Sequence, residues 1–217
     1  MNHMRRKLLS GKMIGVHAVL LVLMMTAGYA EEEAKTDAMA NHSSNQESKT
    51  ITASTAEEFV DAIGSNTIIL LSNGIYNLSE THQGGFPTDE KYWEDVYDGK
   101  KLVIRGVHNL TIKGESPDCK IVVDPRDAAI LSFLNCTDIT IENVTAGHTI
   151  QSGPCEGGVL HFEDCSDIQI VNTQLFGCGA YGLYFNSVKN AKVENSSIYE
   201  CTSEIMAVAF VQYIVKF

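Results

Sequence analysis

The feature that most constrains the fold of this 217-residue chain is an internal repeat of short apolar segments. Five segments align at offsets of 29, 29, 23 and 23 residues, and each has apolar residues at positions i and i+2 around a mostly polar one. This alternation is the pattern of a β-strand with one buried face. A single unit cannot bury that face, so the repeat predicts stacked copies that share one core. The segments begin at Leu102, Leu131, Leu160, Leu183 and Met206.

A second row of strands follows the first in the same phase, at residues 110–112, 139–141, 168–170 and 191–193. Two ladders of single residues flank this row. An asparagine after a strand can adopt the left-handed conformation and hydrogen-bond to its copy in the next coil. The ladders therefore predict one constant register for all coils. Val107, Cys136, Cys165 and Val188 precede the second row, and Asn143, Asn172 and Asn195 follow it.

Coils of 23 residues with two or three short strands resemble the right-handed parallel β-helix of the pectate-lyase-like superfamily. Ser54 and Thr55 precede Glu58 at the spacing of a capping box, which predicts an amphipathic helix that ends at Gly64. That helix and the strand predicted at residues 67–71 look like the N-terminal cap of such solenoids. The resemblance covers residues 51–208 and implies an all-β fold with a capping helix. It implies no single activity, because the superfamily hosts lyases, hydrolases, epimerases, adhesins and carrier proteins.

The first 50 residues precede this domain. Residues 1–30 have a positive start, an apolar run over 13–25 and small residues before a cleavage site after Ala30, which predicts a signal peptide and a secreted or periplasmic protein. The apolar run is too short for a membrane span. Residues 31–50 are acidic and rich in Ser and Asn, as in a flexible linker. Cleavage would leave 12 basic and 27 acidic side chains, a net charge of −15 that argues against nucleic acid as a partner.

The β-helix domain is predicted over residues 51–217, with an incomplete last coil. From Ile205 to Phe217, eleven of thirteen residues are apolar, and Tyr213 and Lys216 break the phase of the repeat. An open apolar coil exposes unpaired strand edges. We therefore expect either a truncated or frame-shifted product of a longer β-helix protein, or a last coil that docks on a partner chain.

The outward positions of the first strand row carry the candidate catalytic residues. Imidazole, carboxylate, phenol and guanidinium groups would share one narrow ribbon there, which could bind a sugar and supply a base and an acid. The alternative is an ordinary solvated face. The four candidates are His161, Glu163, Tyr184 and Arg105, in two columns that also contain Ser132, Ala207, Leu134 and Asn186.

Candidate ligand-binding residues come from the same ribbon and from two excursions that leave the coils. Residues 80–100 hold the aromatic cluster of the chain, and residues 147–157 account for the extra length of the third coil. Loops that leave a rigid scaffold often carry binding groups. The candidates are Trp93, Tyr92, His148 and Asn186, with His148 expected to lean toward the catalytic ribbon.

Other motifs favour structural explanations. Residues 177–182 match G-x-G-x-x-G, but a strand rather than a helix follows, which predicts a tight corner instead of a dinucleotide site. Five of the six cysteines lie on ladders where thiols can pack without bonding, with Cys178–Cys201 the first candidate disulfide. Cys119 has no partner by phase, and the spacing of Cys155, His161 and Cys165 is not that of a zinc site.

The sequence predicts no cofactor. Lyases of the resembling family use ladders of carboxylates for calcium, and no stacked Asp or Glu column accompanies Asp124, Arg126 and Asp127. A pair of carboxylates for glycoside hydrolysis is not identifiable in the repeats either. Three functions stay open: an exported domain that binds carbohydrate or another cell-envelope polymer, a polysaccharide lyase or glycoside hydrolase, and a structural or adhesive solenoid.

Overall fold

The computed structural model describes residues 47–83, 88–149, 155–177 and 179–209. The predicted signal peptide and nearly all of the predicted linker lie outside these ranges. Residues 210–217, where Tyr213 and Lys216 break the phase of the repeat, also lie outside them. Within the described ranges the chain is all-β, apart from one α-helix and one 3-10 turn. No helix in these ranges is long and apolar enough to cross a membrane.

The strands form three sheets in which every pairing is parallel except one antiparallel pair, β4 with β5. Sheet A contains β1 (Lys49–Ala53), β2 (Thr67–Leu71), β6 (His108–Gly114), β9 (Thr137–Glu142), β12 (Ser166–Val171) and β15 (Lys189–Glu194). Sheet B contains β3 (Gly74–Asn77), β7 (Cys119–Val123), β10 (Thr145–His148), β13 (Gln174–Phe176) and β16 (Ser197–Tyr199). Sheet C contains β4 (Lys91–Val96), β5 (Gly99–Arg105), β8 (Leu131–Leu134), β11 (Leu160–Glu163), β14 (Tyr181–Asn186) and β17 (Glu204–Ala209).

From β5 onward the chain visits sheets C, A and B in turn, and from β6 onward each strand pairs with its counterpart one circuit earlier. The predicted first row forms sheet C and the predicted second row forms sheet A. Leu160 pairs with Leu131 and with Leu183, at the offsets that the repeat predicts. The predicted strand rows and their register are therefore confirmed.

The inward side chains of the three sheets form one core. Phe133, Phe162 and Phe185 stack on successive strands of sheet C, with ring centroids 4.8 and 5.4 Å apart, and all three are buried. Sheet A contributes an aliphatic ladder of Leu110, Ile139 and Ile168. Each circuit therefore adds the same kind of apolar layer to its neighbour, which is how a stack of repeats gains a continuous core.

The cysteines of the core pack as free thiols. Cys136 and Cys165 are buried on neighbouring circuits, and the Cys136 N–H donates to the Cys165 sulfur over 3.4 Å. Cys119 and Cys155 are also free, so the packing interpretation is confirmed for Cys136, Cys155 and Cys165. Cys201 is disulfide-bonded. Its predicted partner, Cys178, lies outside the described residues.

The asparagine ladder lies in left-handed turns between sheets A and B. The φ angles are 55° at Asn143, 51° at Asn172 and 48° at Asn195, as predicted. The bonds between circuits come from the backbone, since Asn143 N–H donates to the carbonyl of Val171 over 3.1 Å. Among the described residues, no side-chain bond joins successive asparagines of this ladder, so that part of the prediction is wrong. Asn172 N–H likewise donates to the carbonyl of Glu194 over 3.0 Å, so backbone bonds join the circuits at these turns.

Helix α1 covers Ala56–Ala62 and begins at a capping box. The Thr55 hydroxyl accepts from the Glu58 N–H, and the Glu58 carboxylate accepts from both the N–H and the hydroxyl of Ser54. Phe59, Val60 and Ala62 face the core and are buried. The helix therefore buries its apolar face against the first strands of the domain.

The predicted loop over residues 80–100 is in large part a β-hairpin. β4 and β5 pair antiparallel at the edge of sheet C, and Trp93 lies opposite Leu102. A two-residue turn at Tyr97 and Asp98 joins the strands. The hairpin escaped prediction because its pairing is local and antiparallel, outside the phase of the parallel repeat. It covers the edge that sheet C would otherwise expose.

Lys91 joins this hairpin to α1, and we expect Lys91→Met to lower the free energy of unfolding by about 1–2 kcal/mol. Its ammonium donates to three carbonyl oxygens at the helix C-terminus, those of Val60 at 2.6 Å, Asp61 at 2.9 Å and Ile63 at 3.2 Å. A cation there satisfies unpaired carbonyls and complements the helix dipole. Urea unfolding measures the change. Lys100→Met is the matched control, because the single ion pair of Lys100 with a described residue is the one to the exposed Asp95. Equal losses in both variants would contradict the prediction.

Candidate functional site

The outward face of sheet C brings the predicted catalytic ribbon together as two columns. His161 pairs in register with Ser132 on one side and Tyr184 on the other, and Glu163 pairs with Asn186. Neighbouring strands in such a sheet are about 4.8 Å apart, so side chains in one column are in contact range. One column is Val103, Ser132, His161, Tyr184 and Ala207, and the other is Arg105, Leu134, Glu163, Asn186 and Ala209.

Three rings form a cluster on this face. The His161 and Tyr184 rings lie 5.2 Å apart, and the Tyr181 ring stacks on Tyr184 with centroids 5.9 Å apart and planes 29° apart. Tyr181 was not among the predicted site residues, because it belongs to the G-x-G-x-x-G segment that we assigned to a corner. Strand β14 begins at Tyr181, two residues earlier than the repeat predicts. The cluster is therefore larger than the predicted ribbon.

A carboxylate and an amide lie in the column beside the rings. The Asn186 side-chain amide donates to the Glu163 carboxylate over 3.4 Å, and Glu163 is exposed. These two groups retain further donor and acceptor capacity toward solvent. The face thus combines aromatic surface with free hydrogen-bonding groups.

His161 lies against a glycine that leaves room for its ring. A methyl group at Gly158 would lie 2.0 Å from His161 Nε2, so no larger residue fits there without moving the imidazole. Nε2 is buried and has no hydrogen-bond partner among the described residues, although the side chain as a whole keeps some exposure. Burial, with the nearby charge of Lys101 as a smaller cause, lowers the pKa of His161 to about 4. The imidazole is therefore neutral at physiological pH.

The Ser132 hydroxyl lies on the neighbouring strand and is also buried, with no hydrogen-bond partner in the part of the chain that the structure describes. A buried polar atom without a hydrogen bond is costly, so two of them on adjacent strands indicate a place for a water or for a polar group of a ligand. This pair was not predicted as a functional unit. The repeat predicted that the Ser132 side chain faces outward. The sequence does not show that the surrounding chain buries its hydroxyl.

Arg105 is separated from the rest of the predicted catalytic set. Its guanidinium carbon lies 5.4 Å from the centroid of the Tyr92 ring, and its Nε donates to the carbonyl of Asp89 over 3.4 Å. Leu134 occupies the position between Arg105 and Glu163 in their column. The four predicted groups thus form two parts, one at the hairpin and one around His161.

The hairpin aromatics differ in their surroundings. Trp93 is half-buried and packs against the hydrophobic core, which leaves only part of its ring for a ligand. Tyr92 is half-buried beneath Arg105. Tyr97 at the hairpin tip is 96% exposed and has no ring partner among the described residues. The aromatic cluster predicted from residues 80–100 therefore splits between core packing and solvent.

His148 lies in β10 of sheet B, which corrects the expectation that it leans toward the sheet C ribbon. The side chain is buried, with Nδ1 2.8 Å from the carbonyl oxygen of Gly177 and Nε2 2.9 Å from that of Ala128. Burial lowers the pKa of His148, and the two carbonyl contacts oppose that shift. These contacts hold the ring between neighbouring circuits and away from sheet C.

Metal-binding groups do not converge in the described part of the chain, where no set of three His, Cys, Asp or Glu side chains could hold an ion. Asp124, the nearest candidate for calcium, accepts hydrogen bonds from Asn77 and Thr149. These bonds join neighbouring circuits, so the Asp124 carboxylate has a structural role.

No protein-family model and no curated protein matches the sequence. Among solved structures, the chain is similar to a candidate glycosyl hydrolase from Parabacteroides merdae, with 12% sequence identity and a TM-score of 0.41. The match covers 76% of each chain. A likeness at this level says nothing about the activity of this chain.

The environment of His161 predicts a loss of stability at mildly acidic pH. Its pKa is about 4 in the folded chain and about 6.5 in an unfolded one, so the unfolded chain binds more protons between these values. The free energy of unfolding should therefore fall as the pH drops from about 6.5 to about 4. Because the side chain is partly exposed, we expect about 1–2 kcal/mol from His161.

Urea titrations of the wild type and His161→Gln across this range isolate the effect. The variant should show the shallower pH dependence. It retains the contribution of His148, whose pKa is also lowered by burial. Parallel curves for the two proteins would show that His161 titrates normally.

Proposed function

We propose that the chain is an exported right-handed parallel β-helix of the pectate-lyase-like type that binds polysaccharide along the outward face of sheet C. The order in which the chain visits the three sheets supports the solenoid, and the position of α1, between β1 and β2 at the start of sheet A, supports its role as an N-terminal cap. Export rests on the signal peptide of residues 1–30 and implies a secreted or periplasmic location. No metal or cofactor enters the proposal.

The observation that carries the proposal is the ring cluster of His161, Tyr184 and Tyr181 beside the Glu163–Asn186 pair. Sugar rings have apolar faces that pack on aromatic rings, and hydroxyl groups that hydrogen-bond to carboxylates and amides. Both kinds of group lie in adjacent columns on neighbouring strands. A polymer could therefore contact several circuits in succession.

The same geometry favours binding over catalysis. Glycosidases use a pair of carboxylates on the two sides of the scissile bond, and Glu163 is the single carboxylate in the two columns of this face. His161 is neutral and its Nε2 is buried against Gly158. Arg105 is held at the hairpin by Tyr92 and Asp89. Arg105 is thus separated from the other three groups, and the two columns lack the second carboxylate that a glycosidase pair needs.

Affinity electrophoresis of the full chain tests the proposal. Gels that contain hydroxyethyl cellulose, xylan or polygalacturonate should retard the wild type in at least one case. Tyr184→Ala should weaken that retention about tenfold or more, which corresponds to about 1.4 kcal/mol. Tyr97→Ala is the matched control, because it removes a tyrosine that is 96% exposed and far from the cluster in the strand register.

Equal retention of Tyr184→Ala and the wild type would overturn the sheet C site. Absence of retardation in all three gels would overturn polysaccharide binding and leave the structural or adhesive solenoid. Thermal unfolding of each variant separates lost binding from lost folding.

The second candidate function is that of a polysaccharide lyase or glycoside hydrolase, and the buried, unpartnered Ser132 hydroxyl and His161 nitrogen favour it. A polar group of a substrate could satisfy both atoms. Incubation of the full chain with the same polymers, followed by assays for new reducing ends and unsaturated uronates, tests this candidate. Activity that His161→Gln and Glu163→Gln abolish would support it, and no product after prolonged incubation would exclude it for these polymers.

A further inference from the structure

A groove runs across the outward face of sheet B and has no part in the proposed sheet C site. Its volume is about 570 Å³, and it extends over all five strands of the sheet, from Ile75 on β3 to Tyr199 on β16. Its lining combines one apolar column and one polar column of side chains. None of its lining residues belongs to sheet C.

The apolar column contains a pair of aromatic rings. Phe176 and Tyr199 pair in register on β13 and β16, with ring centroids 6.0 Å apart and planes 20° apart. A methyl group at Gly147 would lie 2.6 Å from two carbons of the Phe176 ring, so the ring extends over the space that this glycine leaves open. Val122 continues the column on β7, and Tyr199 is 41% exposed.

The polar column lies beside the rings and follows the same strands. Lys120, Thr145 and Gln174 pair in register on β7, β10 and β13. The Thr145 hydroxyl donates to the carbonyl of Pro117. Within the described residues, the side chains of Lys120 and Gln174 make no hydrogen bond or ion pair, and both have some exposure. The groove therefore offers an ammonium and an amide with free donors beside an aromatic pair.

Charge narrows the class of ligand. Lys120 and Asp118 both line the groove, so its local charge is balanced, while the whole chain carries a net charge of −11. A polyanion would meet this negative field with a single lysine to offset it. The backbone groups of sheet B are already paired within the sheet, so a peptide cannot add to this face as a further strand. Recognition must come from side chains.

We propose that the sheet B groove is a second binding site and that its ligand is an uncharged polysaccharide. The aromatic pair would pack against the apolar faces of sugar rings, and Gln174 and Lys120 would donate to their hydroxyl groups. The inference goes beyond the proposed function, because the site uses other residues on another sheet and stands if the sheet C site fails.

Affinity electrophoresis of the full chain on hydroxyethyl cellulose and on galactomannan tests the groove. We expect both polymers to retard the wild type, and Tyr199→Ala and Gln174→Ala each to weaken retention about fivefold to tenfold. Phe176→Leu keeps an apolar side chain over Gly147 and removes the aromatic ring, so it should weaken retention without unfolding the sheet. Tyr97→Ala is the control for loss of a surface tyrosine, and Tyr184→Ala reports the sheet C site separately.

Unchanged retention of Tyr199→Ala and Phe176→Leu on both neutral polymers would overturn the inference. Retardation by polygalacturonate alone would also overturn it. A wild type that sediments as a dimer and a Tyr199→Ala variant that sediments as a monomer would show that a second copy covers the groove instead. Loss of retention in Tyr184→Ala alone would support the proposed function and contradict the second site.

Discussion

Replacing Phe162 by Ala is expected to lower the free energy of unfolding by about 3–5 kcal/mol. The Phe162 ring is fully buried between Phe133 and Phe185, with centroid distances of 4.8 and 5.4 Å. Its removal would leave a cavity in the middle of the stack. The rings on either side are held by their own strands and cannot close it. Urea unfolding of the full chain measures the loss.

Phe162→Leu is the control for this prediction. It keeps most of the apolar volume, so it should cost clearly less than the alanine variant. Since the three rings belong to successive circuits, the alanine variant should also broaden the unfolding transition if the circuits lose their coupling. A loss below about 1 kcal/mol would show that the rings do not form a close-packed ladder.

Replacing Gly114 by Ala is expected to lower the free energy of unfolding by about 2–3 kcal/mol. A methyl group at this position would lie 2.1 Å from the backbone carbonyl oxygen of Asn143, and 3.0 Å from the Cβ of Cys119. Asn143 belongs to the left-handed turn of the next circuit. The obstacle is backbone rather than a flexible side chain, so two circuits would have to move apart.

Gly74→Ala provides the matched control. Gly74 begins a strand, as Gly114 ends one, but a methyl group there meets no atom within 4 Å. We expect this variant to leave stability within about 1 kcal/mol of the wild type or to raise it slightly, because alanine restricts the unfolded chain. Equal effects at the two glycines would contradict the close approach of circuits at Asn143.

The repeat predicted the sheet rows because side-chain alternation and burial coincide in them. In β11 the sequence Leu160-His161-Phe162-Glu163 alternates inward and outward, and a parallel register of 23 or 29 residues then places each column. The contact range of His161 and Tyr184 followed from that register alone. Cross-strand neighbours can therefore be predicted wherever the phase is constant.

The features that were not predicted depend on interactions outside the phase of the repeat. The hairpin of β4 and β5 is local and antiparallel, and His148 is held by two carbonyl oxygens that other circuits supply. Two strands of sheet B, β13 and β16, have three residues each, which is too short to show a clear alternation of inward and outward side chains. The residues on the outward face of sheet B were therefore not predicted. The Phe176 ring can lie over Gly147 because the residue that pairs with Phe176 on β10 is a glycine. Only the fold brings these residues together.

Hydroxyl-radical footprinting of the full chain, with and without the polysaccharide that retards it, tests the central claim most directly. Mass spectrometry would give the oxidation rate of each tyrosine. We expect the polymer to protect Tyr184 and Tyr181, the stacked rings of sheet C, and to leave Tyr97 at the hairpin tip unchanged. Equal oxidation of Tyr181 and Tyr184 in the free and the bound chain would contradict polysaccharide binding at sheet C.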